Sequence, residues 1–286
     1  MDDAAIASPA LTTVFLIVLG LGLAVWVAIA QRYLGGKSLL RWRRRRRVPW
    51  GVDGLLLPIL MVAAPILGTL TEAGEVGGVE PASVTVSDAI GISGVYLVVM
   101  ACAAALVVRA SDATADDFGV GRRLNEPVRG QRAWLGDAAI GLAACLATLP
   151  LVYAAQALLV TVLGVESAHP VLQGLANASA PEVLAAGWLA VVVAPISEEF
   201  VFRVLLQGWL ERYASREALW PAVASAAVFA IAHQGQGYAP VALFFFGLVS
   251  GYVYQRTHRL APCVCMHVAF NAISFSLAVA MASESG

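Results

Sequence analysis

Charge is what this sequence has least of. Only 13% of its 286 residues are Asp, Glu, Lys or Arg, against about 25% in ordinary soluble domains, while 59% are hydrophobic. Too little polar surface exists to coat a water-soluble globule. Cysteine is equally sparse: Cys102, Cys145, Cys263 and Cys265 all lie in apolar runs, without a CxxC pair of the metal-binding kind. Cys263 and Cys265, two apart, fall on different faces of a helix, and all four read as reduced core residues. A basic n-region is missing behind Asp2 and Asp3, so no cleavable signal peptide is expected. The zinc motif His-Glu-x-x-His is absent, and so is an intramembrane aspartate pair, since Asp88 and Asp137 sit at span edges. Internal repeats and low-complexity linkers are absent too.

Long apolar runs are what the sequence has in abundance. A helix needs ~20 mostly apolar residues to cross a bilayer, and eight runs qualify: roughly 11–30, 53–70, 89–108, 135–163, 183–209, 218–233, 239–255 and 261–282. The second is short and contains Pro58 and Pro65; the sixth is short as well. The fold class is therefore an all-α, polytopic transmembrane bundle. Arginines orient it. They gather in the 31–50 loop (Arg43 to Arg47 above all), the 109–134 loop, near 211–217 and at 256–260, whereas loops 71–88, 164–182 and 234–238 hold no Lys or Arg. Strict alternation makes the basic loops cytoplasmic and places both termini outside. The arginine run follows a span directly, so it reads as topology and anionic-lipid contact, not as a nucleic-acid site. Residues 1–134 form three anchoring spans and a cytoplasmic segment; residues 135–286 hold the unusual polar groups. Asp116-Asp117-Phe118-Gly119 is read as a weak start of an amphipathic surface helix. Trp42, Trp50, Trp134, Trp188 and Trp220 lie where an interfacial aromatic belt would have them.

Three charges in the fifth span demand an explanation. Glu198, Glu199 and Arg203 lie within six residues of apolar sequence that resumes at Val204, and each costs about 2.5–3.5 kcal/mol at membrane depth. Glu199 and Arg203 are i,i+4 and can pair. Glu198 projects about 100° away, a carboxylate without a local cation and a candidate general base. The sixth span ends with Phe229 and His233 on one face, and the eighth puts His267 and Asn271 on one face in the same way. One such histidine is commonly a hydrogen-bonded core residue. Two histidines, an asparagine and a Glu-Glu-x-x-x-Arg set on three spans form a functional candidate.

Glu198-Glu199-x-x-x-Arg203, Phe229-x-x-x-His233 and His267-x-x-x-Asn271, in that order on separate spans, resemble the CAAX protease and bacteriocin-processing (CPBP, or Abi) family, which contains the Rce1-type prenyl-protein proteases. The resemblance covers roughly residues 180–280. It implies an intramembrane endopeptidase in which Glu198 and His233 orient and deprotonate water. His267 and Asn271 would bind the oxyanion, with Glu199, Arg203 and Phe229 in support. Family members are named metalloproteases, and a metal-free glutamate mechanism is argued as well. A divalent ion such as zinc would take Glu198, His233 and His267 as ligands. The implied partners are a peptide or membrane-protein substrate and the lipid bilayer, with no nucleic acid. The implied location is a bacterial plasma membrane.

Other readings carry different signatures. Gly91-Ile-Ser93-Gly94 matches the short pattern of a rhomboid-like serine protease, but small residues of this kind recur in packed membrane helices. A catalytically silent binding or immunity scaffold would keep the fold without the chemistry. A proton- or ion-coupled transporter would use the same buried charges and depend on a gradient. His169, in an outer loop, and His258, in a basic turn, read as solvated. By simple arithmetic at 1.5 Å per residue, His233 falls nearer the outer end of its span than Glu198 and His267, so helices must tilt, break or start late for the three to meet.

Overall fold

A computed structural model of the chain describes residues 9–40, 42, 46–72, 84–120, 131–164, 178–234, 236–237 and 239–285. Among these residues every regular element is helical. Eight helical segments appear where eight apolar runs were read: α1 (Pro9–Leu34), α2 (Leu56–Glu72, preceded by a 3-10 turn at Val52–Leu55), α3 (Val86–Ala110), α4 (Gln131–Leu163), α5 (residues 180–210), α6 (Trp220–Ile231), α7 (Ala239–Thr257) and α8 (Leu260–Ser285). Four of them, in α1, α3, α4 and α8, are long and apolar enough to cross a membrane. Leu16, Ile17, Leu21 and Leu23 on α1 and Ile90, Val95, Leu97 and Val98 on α3 are exposed. Apolar surface so continuous belongs against lipid. The protein is a polytopic integral membrane protein.

The core is built from α4, α5, α6, α7 and α8, around Leu149, Phe202, Phe229, Phe246, Tyr254 and Met266. Cys145 and Cys263 are buried there as free thiols. Gly247 and Gly251, four apart on α7, face Ala226 and Ala222, four apart on α6; a Cβ on either glycine would come within 3.0 Å of the alanine it faces. Small residues at this spacing let two helix backbones approach closely.

α1 docks on α4 at a proline. Pro150 has no N–H, so the carbonyl of Leu146 loses its helical donor. Trp26 Nε1 donates to the next carbonyl, that of Ala147, at 2.8 Å. Gly22 makes the approach possible, because a Cβ at this position would lie 2.5 Å from the Leu146 oxygen and 2.7 Å from Pro150 Cγ. Gly22→Leu is therefore expected to push α1 off α4 and lower stability by about 1–3 kcal/mol, the usual range for overpacking. Thermal unfolding in detergent measures it, and an unchanged midpoint would show that α1 does not depend on this contact.

The described parts of the basic loops meet at one end of the bundle. Arg46 Nε donates to Asp117 at 2.8 Å and its Nη2 to the Asp112 carbonyl at 2.6 Å. Arg47 Nη1 reaches the carbonyl of Arg212, and Leu260 N–H donates to the Gly119 carbonyl. Burial works against the Asp117 carboxylate, but Arg46 and the Thr114 N–H and hydroxyl outweigh it and hold the acid below its ordinary range. Residues 115–119 form consecutive turns and not the start of a surface helix. Gly119 has φ +73, and a Cβ there would lie 2.9 Å from Leu260 N, so conformation and contact both require glycine. Phe118 anchors the segment, stacked between Trp50 and Phe200.

Trp134, Trp188 and Trp220 are exposed, as a belt requires. Trp50 is not. It is wholly buried and donates Nε1 to the Leu205 carbonyl at 3.3 Å. Arg41, Arg43, Arg44, Arg45, Arg122, Arg123, Arg129 and His169 lie outside the described residues.

Candidate active site

α5 is not a uniform α-helix. Two π-helical stretches, Leu189–Val193 and Phe200–Gln207, flank the α-helical Ala194–Glu199 that carries both glutamates. Pro195 accounts for the first. Its ring clashes with the carbonyl one turn earlier in an α-helix, and a wider turn relieves the clash. Ala194 N–H accordingly donates to the carbonyl of Leu189, five residues back. Ala190 would next accept from residue 195, which has no N–H to give. Asn271 of α8 supplies the donor instead, with Nδ2 at 2.7 Å from the Ala190 oxygen. π-turns of this kind recur at functional sites.

Below that turn, Glu199, Arg203 and Gln207 form a wholly buried polar row at i, i+4, i+8. Glu199 Oε2 accepts from Arg203 Nε at 3.1 Å and from the Ser250 hydroxyl of α7 at 2.7 Å. Glu199 Oε1 faces His267 Nδ1 at 2.9 Å. Arg203 Nη1 donates to the Ser225 hydroxyl of α6 at 2.9 Å, and Ser225 donates to the Phe202 carbonyl. Arg203 Nη2 is buried without a hydrogen-bond partner, while the guanidinium lies 5.6 Å from the centre of the Phe229 ring, within cation–π range. Gln207 Nε2 donates to the Gly251 carbonyl at 2.9 Å. Four helices converge on one carboxylate and one guanidinium.

Glu198 points elsewhere, as its place one residue before Glu199 requires. Its side chain is 15% exposed. Oε2 lies 3.9 Å from His233 Nε2 and 3.6 Å from His267 Nε2. The protons on the two rings follow from their other nitrogens. His233 Nδ1 is 2.8 Å from the Phe229 carbonyl, which can only accept. His267 Nδ1 meets a carboxylate, which also accepts. Both Nδ1 atoms are therefore donors, and in the neutral rings both Nε2 atoms present lone pairs. Three acceptors converge on one small space, at separations too long for direct hydrogen bonds and suited to a bridging water. Phe229 and Phe246 wall it, with ring centroids 4.6 Å from His233 and from His267 respectively.

α6 meets the depth requirement by being short. It ends at Ile231, and His233 lies in the turn beyond it. From Leu210 back to Glu198, and from Trp220 on to His233, the chain runs about 12 residues, roughly 18 Å of helix, so both side chains reach one level. His267 and Asn271 meet different partners on α5. They share a face of α8, but one bonds Glu199 and the other Ala190. Ser93 is engaged as well, donating to the Ala89 carbonyl at 2.6 Å and accepting from Trp188 Nε1 at 3.0 Å. Asp88 caps α3 through Thr85. Sequence reasoning misses Ser225, Ser250 and Gln207; the close-packing pair Gly247 and Gly251 around Ser250 is their only signal.

Comparison with known proteins bears on the same stretch. Residues 180–273 match the family model of the type II CAAX prenyl endopeptidase, Rce1-like. The match covers about a third of the chain. It runs from the first residue of α5 to two residues past Asn271 and includes Glu198, Glu199, Arg203, Phe229, His233 and His267. No curated protein and no solved structure matches the chain. The family is one of CAAX-type endopeptidases acting on membrane-associated substrates. Helices α1 to α4 lie outside the Rce1-like match.

Proposed function

We propose that the protein is an intramembrane endopeptidase in which Glu198, His233 and His267 hold and activate the attacking water. The convergence of one carboxylate oxygen and two Nε2 lone pairs on a single space carries this reading. Water brings two protons to three acceptors, so its oxygen lone pair stays available for the scissile carbonyl. On attack one proton passes to Glu198, which then delivers it to the leaving amine. Glu199 fixes the tautomer and tilt of His267, and the Phe229 carbonyl does the same for His233. The oxyanion is met by the second N–H of Asn271. We place the basic loops in the cytoplasm and both termini outside, in a bacterial plasma membrane.

The same donors bear on a metal. Two imidazoles and a carboxylate suit a divalent ion chemically, and the carbonyl and carboxylate behind the rings resemble the outer partners of metal-bound histidines. Their spacing is wider than the edge of about 3.3 Å that a tetrahedral zinc site has with bonds of about 2.05 Å, and among the described residues no trio is placed to grip an ion. The proposed steps accordingly need only water.

Cleavage of a membrane-peptide mixture in detergent, read by mass spectrometry, tests the assignment. Glu198→Gln keeps the shape and removes the base, and is expected to lower turnover by at least about 100-fold, as loss of a general base does. Its unfolding midpoint should stay near wild type, because Glu198 lies outside the buried ion pair. A chelator arm should leave wild-type turnover unchanged. Turnover retained in Glu198→Gln would refute the base; turnover lost with chelator would put an ion between the three ligands.

A further inference from the structure

At the arginine-bearing end of the bundle lies a cavity of about 200 Å³ that shares no residue with the candidate active site. Arg46 and Arg47 come to it from the segment after α1, Arg216 from the turn between α5 and α6, and His258 from the turn between α7 and α8. His258 adopts φ 48, and its ring lies edge-on to Trp42 and Tyr254. Trp42 and Val48 make the wall partly apolar. Glu211 is the one acid among the described lining residues, and its carboxylate faces Gln207 Nε2 at 3.2 Å and His258 Nδ1 at 3.6 Å. Arg46 is paired with Asp117 through Nε and Nη2, with Nη2 also on the Asp112 carbonyl, and Arg47 gives one N–H to the Arg212 carbonyl. Arg216 is exposed at the mouth.

We infer that this cavity binds a phosphate-bearing anion, of the kind an anionic lipid headgroup presents. Three arginines from two separate loops line one space in which the described carboxylate, Glu211, already has a donor in Gln207. Guanidinium forks match phosphate oxygens in geometry and charge. The place suits such a ligand too, because the cavity opens where the helices leave the apolar layer and indole and aliphatic surface lies beside the charges. A headgroup there would tie together the α1–α2, α5–α6 and α7–α8 connections, which are otherwise joined by a few single bonds.

The full-length protein in neutral detergent tests this in two arms. In the first, native mass spectrometry follows binding of phosphatidylglycerol against phosphatidylcholine. In the second, the unfolding midpoint is followed in inorganic phosphate against chloride at matched ionic strength. Wild type should retain one phosphatidylglycerol saturably and phosphatidylcholine only weakly. The Arg47→Gln, Arg216→Gln double variant should bind phosphatidylglycerol about tenfold or more weakly, because two of the three arginines lining the cavity are removed. Arg32→Gln, a basic residue at the end of α1 outside the cavity lining, serves as control and should bind like wild type. Stabilisation by phosphate that the double variant loses, without lipid retention, would keep the anion site and assign it to a free anion. Neither ligand binding, or binding unchanged in the double variant, would overturn the inference.

Discussion

Replacing Arg203 by methionine is expected to destabilise the protein by about 3–5 kcal/mol, the cost of stranding one member of a buried ion pair. Arg203 and Glu199 are both wholly buried. Without the guanidinium, Glu199 keeps only the Ser250 hydroxyl and the His267 N–H as donors, and a full negative charge has no cation beside it. The reciprocal change, Glu199→Gln, strands the guanidinium between Ser225 and the Phe229 ring and should cost a similar amount. The double variant Glu199→Gln, Arg203→Met is the informative one. It removes both charges, and replacing a buried pair by neutral groups of similar volume is often nearly neutral for stability, so most of the lost stability should return. Activity should not return, because the carboxylate that orients His267 is gone. Reversible unfolding in mixed detergent and denaturing surfactant gives the stabilities, and the peptide assay gives the turnover. Single variants as stable as wild type would remove the pair from the scaffold of the site. Turnover returning with stability would show that His267 needs no carboxylate behind it.

How much of this was legible in the sequence depends on whether local spacing decided it. The eight described helices follow from apolar runs, since a bilayer tolerates little else than a satisfied helix. The Glu199–Arg203 bond follows from i,i+4 spacing, and the distinct direction of Glu198 from its place one residue earlier. Tertiary partners were less legible. Ser225 and Ser250 look like any serine in a membrane helix, and only the approach of α6 and α7 to α5 turns them toward the ion pair. His267 and Asn271 share a face by the same rule that paired Glu199 with Arg203, but α5 does not present one uniform surface to them. Its π-turns move backbone carbonyls as well as side chains, so the two residues meet different partners. Trp50 departs from the expected belt for a tertiary reason too: its position at a span edge suggests an interface, but the ring is buried against α5 with the Leu205 carbonyl as acceptor for its indole.

Asn271 offers the sharpest separation of two roles. Its Nδ2 donates to the carbonyl that Pro195 deprives of a partner, and its second N–H is the proposed oxyanion donor. Asn271→Leu should therefore do two kinds of damage. A part-buried carbonyl left unsatisfied costs about 1 kcal/mol of stability, the low end of the usual range, and the loss of an oxyanion donor costs about 10²–10³ in turnover. Pro195→Ala should correct only the first. An alanine at 195 has an N–H that can donate five residues back to Ala190, keeping the turn while making the Asn271 bond dispensable. In the Asn271→Leu, Pro195→Ala protein the unfolding midpoint should return towards wild type while turnover at saturating substrate stays low. Full recovery of both would make Asn271 a cap for the π-turn and nothing more. Recovery of neither would mean that Pro195 and Asn271 are not coupled through the Ala190 carbonyl, and the π-turn would need another explanation. A cap and a catalytic donor predict the same loss from the single variant, so the answer lies in which half of that loss the proline change restores.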